Sequence, residues 1–212
     1  MLGRTHFFIG TAAALAVLQP QTVPALVAGA GAAAIGGLIS DIDVGTSQAH
    51  RDADKIITAT VAVAVLTILA EYKLNLGIYR RLTSDSSVLR LLTGTAAFLL
   101  ICAYGKQQPH RSFMHSFAAL ALLTACVDII YPDASAYFAV GFLSHLVLAF
   151  FNRKPEKLFW PWKKGFCLGF CSARGLVNRA LLGCGMVSLA VVLVLSAPAG
   201  RLMAKIMRAI YG

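Results

Sequence analysis

The residues of this sequence best suited to chemistry are its histidines and one pair of aspartates. The chain has five histidines, and an Asp-x-Asp pair, Asp41 and Asp43, follows Ser40 at the end of a Gly- and Ala-rich apolar run. Imidazole nitrogens and carboxylate oxygens together bind Zn²⁺, Mn²⁺ or Fe²⁺. Two such ions can activate water and hold both ends of a phosphoryl displacement. The residue types therefore indicate a divalent-metal site with one ion or two.

Two further segments add ionisable groups to this set. Residues 110–116 contain two histidines, Arg111 and two serines just before an apolar run, and backbone N–H groups at a helix start favour anions. Arg111 could bind a phosphate or pair with an aspartate, because its guanidinium matches both. His145 follows Ser144 inside an otherwise apolar run. An ionisable group there is costly and usually marks a site, an ion path or a compensated pair.

The composition predicts that membrane helices position these residues. Of the 212 residues, 58% are apolar and 13% are charged, and the mean hydropathy of +0.73 is far above that of ordinary soluble domains. A helix that crosses a membrane needs about 20 mostly apolar residues. We therefore predict an all-α fold, a polytopic membrane helical bundle of about six or seven helices with short loops, in a single domain over residues 1–212.

Apolar runs mark the candidate helices. They cover residues 7–18, 24–39, 56–72, 88–104, 113–131, 135–151 and 176–197. The first is short and the second is rich in Gly and Ala, which predicts a tight hairpin turning at residues 19–24. Beyond Gly200, Arg201, Lys205 and Arg208 recur at helical spacing beside apolar side chains, which predicts an interfacial amphipathic helix. A frayed basic tail is the alternative for this segment.

The net charge of +10 is best explained by the membrane. Lys and Arg lie mainly at the ends of apolar runs, where they anchor helices and meet anionic headgroups. We therefore expect membrane lipids, and not nucleic acid, as partners. The loop at residues 152–174 combines aromatic and basic side chains, which predicts a position along the headgroups. The five scattered cysteines do not indicate a disulfide framework.

Counting membrane crossings places the candidate residues on one face. If the first two helices form a hairpin, the third leaves the starting side, the fourth returns, the fifth leaves and the sixth returns. The residues that this count brings together are His6, Asp41, Asp43, His50, His110, His115 and His145. About twelve of the 19 Lys and Arg residues map to the same side, which favours a cytoplasmic site by the positive-inside rule. The basic residues between 73 and 90 argue against it.

Five motifs, in order, resemble those of a known family. They are Thr5-His6 with Gly10, Ser40-Asp41-Ile42-Asp43, the segment His110 to Ser116, the segment Gly141 to Leu148, and Leu158-Phe159-Trp160-Pro161. Their order and spacing resemble the YdjM-like family of bacterial membrane-bound predicted metal-dependent hydrolases, which is also linked to LexA regulation. The resemblance covers most of the chain. It implies a multi-pass enzyme of the bacterial cytoplasmic (inner) membrane, with a metal site distantly similar to that of zinc-dependent phospholipase C.

The sequence departs from the family pattern at one position. The family has His-x3-Asp in the sixth helix, whereas the fourth residue after His145 is Ala149. Residues four apart share a helical face, so the missing carboxylate could empty one metal position or disable the activation of water. Either this is a natural variant with altered function or it carries an inactivating Asp→Ala change. The intact remaining motifs favour the second interpretation.

Together these observations predict a membrane-embedded metal-dependent hydrolase of a phosphoester in a lipid or lipid-linked substrate. The expected metal is zinc, with manganese or iron as alternatives. The predicted metal ligands are His6, Asp41, Asp43, His115 and His145, with Ala149 at the position of the missing ligand. His110 and Arg111, together with Asp43, are the predicted catalytic residues. The alternative is a protein that binds or transports a divalent metal or lipid without hydrolysing it.

Overall fold

The computed structural model describes residues 3–45, 86–172 and 175–211. Within these ranges the chain forms seven α-helices. They are α1 (Gly3–Leu18), α2 (Val23–Ile39), α3 (Ser86–Lys106), α4 (Phe117–Ile130), α5 (Pro132–Phe150), α6 (Leu176–Leu195) and α7 (Ala197–Tyr211). Two 3-10 turns, Ser40–Asp43 and Phe113–His115, lie between helices. Since the described residues have no strand beyond two isolated β-bridges, the prediction of an all-α fold is confirmed.

Four segments of the described chain are long and apolar enough to cross a membrane. They are Val23–Asp43, Ser87–Lys106, Pro132–Phe150 and Leu176–Leu195. The shorter helices α1 and α4 are also apolar, and α7 carries the basic residues predicted for the amphipathic helix. The predicted polytopic membrane bundle is therefore confirmed. The helix predicted at residues 56–72, and His50, lie outside the described residues.

Close backbone packing joins α2, which leads into the turn with Asp41 and Asp43, to α5, which carries His145. A Cβ atom on Gly141 would collide with the carbonyl oxygen of Ala33, and one on Gly36 would collide with that of Phe138. Only glycine lets the two backbones approach this closely. In lipid, helices associate largely through such van der Waals contact between small residues, so these glycines set the spacing of the helices that hold the site.

A serine cap sets the start of α4. The Ser116 Oγ accepts from the Ala119 backbone N–H at 3.2 Å and donates to the Phe113 carbonyl at 2.6 Å. A capping hydroxyl of this kind favours a helix that begins just after it. The apolar run predicted from residue 113 is therefore helical only from Phe117, and the residues before it form a 3-10 turn.

The apolar core lies directly beneath the two 3-10 turns. Ile42 and Met114 are each 0% exposed and pack against Phe138 and Phe142 of α5. Ile42 separates the two aspartates of the first turn, and Met114 precedes His115 in the second. Each turn is thus anchored by an apolar residue that directs its polar neighbours toward the site.

The residues that follow α5 form a strap, defined here as 151–172, across the loop that precedes α4. The Lys157 N–H donates to the Arg111 carbonyl at 3.0 Å, and the Phe117 N–H donates to the Leu158 carbonyl at 2.9 Å. Trp160 packs edge-on against the Phe113 ring at 5.1 Å. The segment predicted to follow the headgroups therefore also covers one side of the site loop.

Candidate metal centre

Four elements bring the sequence-predicted site residues to one end of the bundle. In chain order they are His6 on α1, Asp41 and Asp43 in the turn after α2, His110, Arg111 and His115 in the loop before α4, and His145 and Ala149 on α5. A cavity of about 460 Å³ opens among them, and all of these residues except Asp43 line it. Asp43 does not line the cavity, but its carboxylate contacts two residues that do, His110 and Arg111.

One group of possible metal ligands consists of His6, Asp41 and His145. One ligand atom from each lies within 4.8 Å of the others, and His145 Nε2 is 3.7 Å from Asp41 Oδ1. The His6 and His145 rings stack with their centroids 3.9 Å apart. A buried hydrogen bond of 3.0 Å from Thr5 Oγ1 to Asn178 Oδ1 joins the first turn of α1 to α6. This hydrogen bond fixes the helix that carries His6.

A second group consists of Asp43, His110 and His115. Asp43 Oδ1 is 2.8 Å from His110 Nδ1, and its Oδ2 is 3.4 Å from His115 Nδ1. The Arg111 backbone N–H donates to Oδ2 at 3.0 Å. Carboxylates that face one ring nitrogen of a histidine commonly fix its tautomer and direct the other nitrogen toward a metal. Asp43 is placed to do this for both histidines.

The two groups meet where His115 and His145 face each other. Their Nε2 atoms are 3.3 Å apart. Asp41 Oδ1 lies 3.7 Å from His145 Nε2 and 4.0 Å from His115 Nε2. His145 Nδ1 is 2.8 Å from the Gly37 carbonyl oxygen. A carbonyl can only accept, so Nδ1 carries the proton and Nε2 presents a lone pair.

This geometry fits a bound cation. Asp43 beside His115 Nδ1 favours the tautomer with its proton on that nitrogen. In that tautomer the Nε2 lone pairs of His115 and His145 converge with the carboxylate oxygen of Asp41. Without a cation or shared proton these atoms repel one another. Zinc binds imidazole nitrogen at about 2.0–2.1 Å in tetrahedral sites, which places two such nitrogens about 3.3–3.4 Å apart. The separation of 3.3 Å between the two Nε2 atoms matches.

Arg111 lines the same cavity in an unusual backbone conformation. Its φ is +64°, in the left-handed region that a non-glycine residue adopts at a cost of about 1–2 kcal/mol. Hydrogen bonds to Asp43 and from Lys157 hold it there. The guanidinium Nη1 donates to the carbonyls of Ala149, at 3.4 Å, and Lys154. A nearly buried cation is thus fixed at the wall of the cavity.

Ala149 lies where the helical spacing predicts. It is one turn from His145, is 1% exposed and lines the cavity. A carboxylate at this position would have its Cβ on the cavity wall beside Arg111, whose guanidinium already contacts the Ala149 carbonyl. Position 149 therefore belongs to the site, although alanine contributes no ligand atom.

The strap adds residues that sequence reasoning missed. Arg153 and Lys154 line the cavity next to Arg111, so three cations face one space. In the sequence they belonged to the loop predicted to lie along the headgroups. Glu156 is 0% exposed, and neither carboxylate oxygen has a hydrogen-bond partner among the described residues. Burial raises its pKa to about 8, and nearby Arg111 offsets this only in part. No sequence pattern indicated this residue.

Comparison with known proteins gives one match. Neither a curated protein nor a solved structure matches the chain. The family model described as YdjM inner membrane protein matches residues 1–210. Together with the four segments able to cross a membrane, this match places the chain in the inner membrane as a multi-pass protein. The chain therefore belongs to the YdjM inner membrane protein family.

Proposed function

We propose that this protein is a membrane-embedded, metal-dependent hydrolase that cleaves a phosphoester in a lipid or lipid-linked substrate. The observation that carries this proposal is the convergence of His115 Nε2, His145 Nε2 and Asp41 Oδ1 within 3.3–4.0 Å. Buried imidazoles whose lone pairs face one another are destabilising unless a cation or a shared proton lies between them. Their presence in an apolar bundle supports a metal-binding role.

The ligand set favours zinc, with manganese or iron as alternatives. His115, His145 and Asp41, with His6 beside them, would hold one ion. A second ion at Asp43, His110 and His115 would require the other histidine tautomers, in which Asp43 is a ligand and not an orienting partner. When bound, such ions lower the pKa of a coordinated water and polarise a phosphoryl oxygen. The protein contributes the fixed imidazoles, and Asp43 orients His110 and His115 through their Nδ1 atoms.

The basic wall of the cavity supports an anionic substrate. Arg111, Arg153 and Lys154 line one side of the space into which the histidines point. Arg111 is 8% exposed, so water screens its charge poorly and a phosphate placed there would be attracted more strongly than at the surface. Its guanidinium can donate to two phosphate oxygens at once. These residues would bind and orient the phosphoester before cleavage.

The surroundings of the cavity support a substrate presented by the membrane. Trp162 and Phe170 of the strap are 71% and 72% exposed, beside exposed Lys163 and Lys164. Exposed aromatic and basic side chains together are typical of the headgroup region. The cavity lies under this strap at the same end of the bundle, which supports access for a phosphate group at the membrane surface. The excess of basic residues at this end favours the cytoplasmic face.

The second candidate function is binding or transport of a divalent metal or lipid, and Ala149 favours it. A binder tolerates the absence of a catalytic carboxylate from the cavity wall. A transporter also needs polar groups toward the other side. A second cavity of about 420 Å³ at the far end of the bundle is lined mainly by apolar residues, with Gln19, Gln21 and Ser196 as its polar side chains. This cavity offers no ionisable ligand.

Metal analysis and a lipid assay test the proposal together. The full chain in detergent should copurify with zinc or bind it after exposure, and Ala149→Asp should raise the hydrolysis of phospholipid in mixed micelles. His145→Ala should lose bound metal, whereas Asp133→Asn, an exposed aspartate at the far end of α5, should keep it. Absence of bound metal in both the parent chain and Ala149→Asp would refute the proposal. Metal binding with metal uptake into proteoliposomes and no hydrolysis would favour the second candidate.

A further inference from the structure

Residues 154–157 of the strap hold Arg111 from two sides. The Arg111 Nη1 donates to the Lys154 carbonyl, and the Lys157 N–H donates to the Arg111 carbonyl at 3.0 Å. Glu156 lies between these two contacts. Its backbone exchanges two hydrogen bonds of 2.9 Å with Phe166, so it is held firmly in place. The carboxyl group of Glu156 is thus held where the charge of Arg111 acts on it.

The polar atoms of this pair are incompletely matched. Both carboxyl oxygens of Glu156 and the Nε of Arg111 are buried without a hydrogen-bond partner among the described residues. An ionised carboxylate in such a place costs several kcal/mol, so a buried acid generally stays protonated instead. The pKa of about 8 at Glu156 is consistent with this. Among the described side chains, the charge that acts on it is that of Arg111 in the site loop.

We propose that Glu156 is a positioning residue that sets the charge Arg111 presents to the cavity. As an uncharged carboxyl, it leaves the guanidinium available to a tetrahedral oxyanion such as a phosphate group. As a carboxylate, its negative charge would offset part of the charge of that cation. The inference rests on the anion-binding part of the proposed function and requires neither bound metal nor hydrolysis.

Sulfate titration across a pH range tests this role, because sulfate keeps its charge where phosphate does not. The full chain in detergent, Glu156→Gln and Arg111→Gln are compared by calorimetry from about pH 6 to about pH 9, below the range in which lysines titrate. Lys163→Gln, an exposed charge on the same strap, is the matched control. Thermal melting of each variant checks that it is folded.

The expected result is a divergence between the parent chain and Glu156→Gln above about pH 8. Below that pH their affinities should agree within about twofold, and above it the parent should lose up to about tenfold per pH unit relative to the glutamine variant. Arg111→Gln should weaken binding throughout. Repeating the titration with a short-chain phosphatidate distinguishes a lipid headgroup from a free anion. The affinities of the parent chain and Glu156→Gln should diverge only for the ligand, sulfate or phosphatidate, that occupies this cavity.

Two results would overturn the inference. One is an identical pH profile for the parent chain and Glu156→Gln in both arms. The other is an affinity that does not respond to Arg111→Gln, which would place the anion elsewhere. Failure of the proposed hydrolase is distinguishable, because loss of metal binding or hydrolysis leaves the sulfate comparison unaffected. Conversely, identical pH profiles for the parent chain and Glu156→Gln would not affect the conclusion from the metal analysis.

Discussion

Replacing Gly141 with alanine should damage both the fold and the metal centre, because α2 and α5 touch there. The added Cβ would collide with the Ala33 carbonyl, and relieving that contact requires the helices to separate by on the order of 1 Å. Overpacking of this kind costs about 1–3 kcal/mol. α2 leads into the turn that carries Asp41, and α5 carries His145.

The same separation would act on the site. It would stretch the 2.8 Å contact between His145 Nδ1 and the Gly37 carbonyl and the 3.7 Å distance from His145 Nε2 to Asp41 Oδ1. Metal ligands tolerate displacements of about 0.2 Å, so zinc affinity should fall at least tenfold. The assay is thermal unfolding of the full chain in detergent, alongside zinc binding by competition with a chromogenic chelator.

Gly31→Ala is the matched control on α2. A Cβ there meets nothing within 4 Å, so the variant should gain up to about 1 kcal/mol from better helix propensity and bind zinc normally. The two substitutions therefore have opposite expected signs. If Gly141→Ala melted at or above the parent temperature with unchanged zinc affinity, the close contact of α2 and α5 would not be what sets the site.

Three further predictions follow from single contacts. Asp43→Asn should lower metal affinity about 10–100-fold while the protein stays folded, because His110 and His115 lose their orienting carboxylate; metal content by mass spectrometry checks this, and affinity like that of the parent would contradict it. Relative to Glu156→Gln, the parent should lose stability as the pH rises from about 4.5 to about 8, by about 1.4 kcal/mol per pH unit, because the carboxyl group ionises at lower pH in the unfolded chain than in the native one. A difference in melting temperature between the two proteins that does not change with pH would contradict this. Ala149→Asp should raise zinc affinity, since position 149 lines the cavity; equal affinities in an equilibrium competition would show that the added carboxylate does not reach the ion.

The sequence was most informative where structure is governed by local periodicity. Apolar runs predicted the helices, and counting crossings placed His6, His110 and His145 at one end, as the structure does. The four-residue spacing of His145 and Ala149 placed both on one face of a helix. These inferences depend only on helix geometry and on the thickness of a membrane.

What the sequence could not predict depends on how loops meet. The two hydrogen-bonding faces of Asp43, shared between His110 and His115, require the path of two loops more than sixty residues apart in the chain. The strap was predicted from its composition to lie along the headgroups. No sequence pattern predicted its hydrogen bonds to the loop that contains Arg111. Glu156 was missed for the same reason, since its burial arises only when the strap folds over that loop.

The buried histidines support the proposed metal-binding role despite alanine at position 149. His6, His115 and His145 are each 1% exposed, and His6 Nδ1 has no hydrogen-bond partner among the described residues. An unpaired buried polar group costs about 1–3 kcal/mol, whereas an apolar residue of similar shape would not. A chain that had lost its ligand would gain stability by replacing them. Under the proposed function, these residues would hold the metal and position 149 would act on the rate of hydrolysis, so the two properties can be tested separately.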